Sequence, residues 1–160
     1  MRRFLLVSAL CLFSGPALAA WQFESINDEQ GVAFRGFVAG ADDGTELEFY
    51  CDDWLPGMID LVIYTGEVTG PVDEEAEGDA MSVIADRTNL IEVTAFIDEM
   101  DGELVVYTSN FDVDNIIDMM LLMANAQQTI DIAYQDHRFQ FPAEGARSVI
   151  SQMADSCPQE

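Results

Sequence analysis

Lysine is absent from this 160-residue chain, and histidine occurs once, as His137. The first absence removes the amine that Schiff-base chemistry needs. His137 alternates onto the same face as Phe139 and Phe141, where a single imidazole reads as a packed, hydrogen-bonded side chain. No Gly-x-Ser-x-Gly elbow, phosphate loop or zinc-ligand cluster accompanies it. Long apolar runs are missing too. A membrane span needs about 18 consecutive apolar residues, and the longest run here, Phe4 to Phe13, is too short, so no membrane span is expected.

That run nevertheless carries information. Arg2 and Arg3 precede it, Ser14, Gly15 and Pro16 close it, and Ala17-Leu18-Ala19 supplies a small-x-small site. This is the pattern of a secretory signal peptide, predicted to span residues 1 to 19 and to take Cys11 with it. The expected localisation is periplasmic or secreted. Residues 20 to 160 then form one exported domain, long enough to enclose a hydrophobic core.

Charge is heavily one-sided: six arginines stand against 30 acidic residues. Without Arg2 and Arg3 the exported part carries only Arg35, Arg87, Arg138 and Arg147, for a formal charge of −26. Such a chain repels nucleic acid phosphates and anionic lipid, so neither is expected as a partner. A cationic protein or an envelope component, divalent ions or salty surroundings fit better, and the charge reads first as solubility or suitability to a saline habitat, ahead of a dedicated binding role.

Alternation dominates the remainder. In Thr45 to Cys51, TELEFYC, the residues Leu47, Phe49 and Cys51 share one face and Glu46, Glu48 and Tyr50 the other, the period of a half-buried strand. Together with Val32 to Ala39 across the turn-rich Gly40 to Gly44 it predicts a hairpin. Leu90 to Ile97 pairs with the segment from Glu103 across Asp101-Gly102, and Gln128 to Gln135 with the segment from His137. Trp21 to Ile26, Met58 to Tyr64 and Met81 to Asp86 read as further strands. Gly66 to Ala80 holds three glycines, Pro71 and six acidic residues, and is predicted to be a mobile acidic loop.

Two helices interrupt the strands. Residues 114 to 125 are apolar nearly all round, with Asp114 as the expected cap, and a helix of that kind is buried. Ala146, Val149, Ile150, Met153, Ala154 and Cys157 form one helical stripe, stopped by Pro158. Cys51 and Cys157 thus both point inward in an exported chain, and a Cys51–Cys157 disulfide is predicted. The expected fold is mainly β (α+β): an antiparallel, β-sandwich-like sheet with one buried helix and a disulfide-clamped C-terminal helix.

Metal and cofactor sites find little support. Asp112, Asp114, Asn115 and Asp118 are oxygen donors, yet they lack the glycine and distal glutamate of a calcium loop and read as helix capping and solvation. Met119, Met120 and Met123 offer soft sulfur but read as core packing. No cofactor is implied. The leading functional expectation is a non-enzymatic exported accessory or binding protein, with a divalent-ion-dependent structural or adhesive module second and a carboxylate-dependent hydrolase third.

Trp21 opening an early strand, Cys51 ending another, and the closing run with Phe139, Phe141, Gly145, Val149-Ile150 and Cys157 together form a layout. It resembles small exported Gram-negative proteins of the invasion-associated locus B kind and an accessory family of type VI secretion systems. The resemblance implies a periplasmic or secreted β-rich domain acting as an accessory or envelope-associated factor. Lysine-free composition and the acidic segment at 66 to 80 depart from that pattern.

Overall fold

The computed structural model describes residues 20–28, 31–42, 44–69, 72, 78–108 and 113–158. The predicted signal peptide, residues 1 to 19, therefore lies outside the described residues, as do Asp112 and residues 70, 71 and 73 to 77 of the acidic segment.

Strands form where apolar and polar residues alternate, because the pleat sends successive side chains to opposite faces. In chain order the described strands are β1 (Gln22–Asp28), β2 (Gly31–Ala39), β3 (Glu46–Asp52), β4 (Asp60–Val68), β5 (Asp79–Ala85), β6 (Asn89–Met100) and β7 (Glu103–Thr108). Helix α1 (Val113–Asn125) follows, then β8 (Thr129–Tyr134), β9 (His137–Pro142) and helix α2 (Ala146–Ser156). All described pairings are antiparallel and join one sheet in the order β1-β2-β3-β4-β7-β6-β5-β8-β9.

The mainly β architecture, the packed α1 and the clamped terminal helix follow the sequence expectation, and the layers are halves of one continuous sheet. It curls until its two ends touch. Trp21, just before β1, donates its indole N–H to the Pro142 carbonyl at 2.8 Å, and the Ala41 amide donates to the Gln140 carbonyl at 2.9 Å. Val38, Leu47, Phe49, Leu61 and Ile63 from one half meet Met81, Val83, Ile130, Ile132 and Phe141 from the other in a shared core. Burial of each such side chain is worth roughly 1.5–3 kcal/mol.

The helices complete the core. Helix α1 lies on β5 and β6, α2 on β1 and β2, and each packs on the other. A side chain at Gly36 would put its Cβ 2.6 Å from Val149 Cγ1, so α2 rests directly on the β2 backbone. Arg147 of α2 reaches back to α1, donating from Nε to the Ala124 carbonyl at 3.2 Å and from Nη2 to Asn125 Oδ1 at 2.8 Å. A cation there complements the negative end of the α1 dipole.

Four sequence expectations are corrected. Helix α1 begins at Val113, so Asp114 lies in its first turn rather than capping it. Helix α1, expected to be mostly buried, buries Ile116, Met119, Met120 and Met123 but leaves Ile117 and Leu121 48% and 54% exposed, because sheet and α2 cover only part of its circumference. Ala154 is exposed, one step around α2 from the buried Met153. Finally, the two ends of the loop expected over residues 66 to 80 are strand. Strand β4 runs through Gly66 to Val68 and β5 starts at Asp79. A register shift between Tyr64 and Val68 breaks the alternation that would have revealed the longer strand.

Candidate functional site

Outward-facing residues of β1 to β4 build an unusual polar surface. Register places Arg35 between Glu24 on β1 and Tyr50 on β3, Phe37 opposite Glu48, and Tyr64 opposite Glu46. All of these alternate with core residues, which commits them to the outer face.

Arg35 organises them. Its Nη2 donates to Glu46 Oε1 at 2.9 Å and also to Glu48 Oε2, its Nη1 lies 3.7 Å from Glu24 Oε2, and the guanidinium carbon sits 4.3 Å from the Phe37 ring centre. One cation thus serves three carboxylates. Glu48 is 7% exposed although it faces outward. Burial pushes its carboxyl above the usual range, Arg35 opposes that rise, and Glu46 and Glu24 add to it. Burial raises the Tyr64 hydroxyl too, with Glu48 adding to the effect.

Farther along the same face the β3–β4 loop rises from the disulfide. Cys51 and Cys157 are bonded, with Cα atoms 5.8 Å apart across 106 residues of chain, as the sequence predicted. One residue beyond Cys51, the Asp52 carboxylate accepts the amides of Trp54 and Leu55 at 3.0 and 3.1 Å, the local clamp of an Asx turn. The Gly57 amide donates to the Pro158 carbonyl at 2.8 Å, which ties the loop to the chain end past the bridge. Held from both sides, the loop presents Trp54 at 72% and Leu55 at 51% exposure.

Behind Trp54 a pocket of about 220 Å³ opens between Ile26, Ala33, Tyr50, Asp52 and Asp53. Gly31 also borders it, and the Asp53 carboxylate fills the space a Gly31 Cβ would take. Asp60, paired with Tyr50 in register, has its carboxyl raised by burial and by the neighbouring Asp52 charge.

The other sequence candidates lie elsewhere. His137 starts β9, stacks on Phe139 with ring centres 6.1 Å apart, and places Nδ1 4.0 Å from Glu67. Asp114 and Asp118 are exposed on α1, while Met119, Met120 and Met123 are buried in the core. Among the described residues no three histidine, cysteine, aspartate or glutamate side chains gather in a way that could hold a metal ion. No described helix is long and apolar enough to cross a membrane.

Sequence reasoning missed Arg35, Trp54 and Leu55. A signal existed in CDDWLPG: an aspartate two residues before a tryptophan, closed by Pro-Gly, is an Asx-turn pattern that lifts apolar side chains on a tight loop.

Comparison of this chain with protein families, with curated proteins and with solved structures found no match.

Proposed function

We propose that the chain works outside the cytoplasm as a non-enzymatic accessory protein that binds a basic partner protein through the outer face of β1 to β4 and the Trp54-Leu55 tip. The tip carries the proposal. Large apolar side chains held out on a rigid loop are the usual energetic anchors of protein interfaces, tryptophan above all. Asp52, Asp53 and Asp60 around it favour a cationic rim on the partner and faster encounter with it. Export is supported by the signal-like first 19 residues and by a disulfide joining two cysteines of the domain, a bond that persists in oxidising compartments.

The lysine-free sequence makes a clean test. Zero-length carbodiimide coupling in an envelope extract joins carboxylates to amines, and this chain offers no lysine amine of its own. The expected result is a discrete coupled partner, lost when Trp54→Ala and Leu55→Ala are combined. Equal coupling by wild type and variant, or none by either, contradicts the proposal.

A further inference from the structure

The pocket behind Trp54 is too small for a drug-sized ligand, whose sites span about 300–1,000 Å³; it suits a single side chain. Its lining is chemically biased. Tyr50 and Trp54 contribute aromatic surface, Ile26 and Ala33 an apolar floor, Asp52 and Asp53 two carboxylates, and no lining residue is basic. Arg35, paired in register with the pocket residue Tyr50, is committed to Glu24, Glu46 and Glu48. Asp52 and Asp60 repel one another, the state a bound cation relieves.

We infer that this pocket receives one lysine or arginine side chain of the partner, its stem against Ile26 and Ala33 and its charged head between the aromatic rings and the carboxylates of Asp52 and Asp53. Aromatic surface beside carboxylates favours a cation through both the ring quadrupole and direct charge. An aliphatic stem lying along apolar surface while the head stays polar is how both side chains are ordinarily accommodated. Gly31 makes the arrangement possible: its positive φ of 139° and missing Cβ leave room for the Asp53 carboxylate at the rim. The inference rests on the docking reading above and narrows its partner to one that presents such a side chain.

The two tryptophans allow a direct test. Trp54 is exposed, whereas Trp21 is buried with its indole bonded to Pro142, so the two indole N–H resonances serve as probe and internal control. Titration of the oxidised protein with tri-lysine and with tri-arginine is expected to move the Trp54 resonance saturably and leave Trp21 unmoved. Asp53→Asn, which preserves shape, is expected to weaken that response at least tenfold, and an unchanged Trp21 resonance reports an intact fold. A Trp54 shift no larger than sodium chloride of equal ionic strength produces, or an undiminished response in Asp53→Asn, overturns the inference. If neither peptide binds while partner coupling still depends on Trp54 and Leu55, the pocket assignment fails and the docking proposal survives.

Discussion

The two halves of the curled sheet have outer faces written in the same alternating code and used differently. On β5 to β9, polar side chains satisfy one another near water: Gln140 Nε2 donates to Asp131 Oδ1 at 2.6 Å, and Arg138 donates to the carbonyls of Gln135 and His137. On β1 to β4, Glu48 is buried, Arg35 is shared among three carboxylates, and its buried Nε has no hydrogen-bond partner among the described residues. Desolvating charges costs stability, and a hydrophobic replacement of similar shape often does as well or better. A region that departs from the stability rules while its counterpart obeys them is where function is to be sought. Here that region also carries the rigid apolar tip.

Breaking the covalent support of the first half has the largest expected effect. Closing a loop of 106 residues restrains the unfolded chain by an amount near the ~4.7 kcal/mol given by the entropy model for 100 residues. Cys51→Ala with Cys157→Ala is therefore expected to lower unfolding free energy by about 2–5 kcal/mol. Denaturant titration measures it, and a midpoint equal to wild type removes the clamp from the account.

A smaller effect sharpens the comparison. Arg35→Met strands Glu48, and loss of one partner of a buried pair costs about 3 kcal/mol. Arg138→Met on the other half is expected to stay within about 0.5 kcal/mol, since its bonds are to exposed backbone. The pH dependence has a defined sign. Glu48 is raised in the folded state, so the folded protein holds its proton more tightly than the unfolded chain does. Its contribution is full below the ordinary value of 4.5 and is lost as pH rises from there through the folded value. Arg35→Met is expected to steepen that loss, and Glu48→Gln added to it to flatten it, as read by melting temperature against pH.

Local features of the fold were legible because their causes are local. The strand period of TELEFYC and the spacing of Ala146, Val149, Ile150, Met153 and Cys157 pointed both cysteines inward, and the bridge followed. The turns at Asp101-Gly102 and Gln135-Asp136 stand where their residues implied. The neighbours β4–β7 and β5–β8 were not legible, since alternation records which face a residue takes and says nothing of which distant strand lies alongside. Covering was hidden for the same reason: Ile117 and Leu121 look like core residues until α1 is seen to be partly bare. The site was the least legible part. Arg35 and its glutamates are spread over β1, β2 and β3 and meet only through register, and Trp54 lies outside any strand or helix period, its exposure set by the Asp52 turn.

The most direct test maps where a basic polypeptide touches the protein. Residue-resolved NMR of the isotope-labelled, oxidised chain, titrated with poly-lysine at moderate salt, separates a site from diffuse attraction to 30 acidic residues. The account predicts shifts confined to Trp54, Leu55, Asp53, Tyr50 and the outer face of β1 to β4. Shifts centred on β5 to β9, or scattered over every exposed carboxylate, would contradict it.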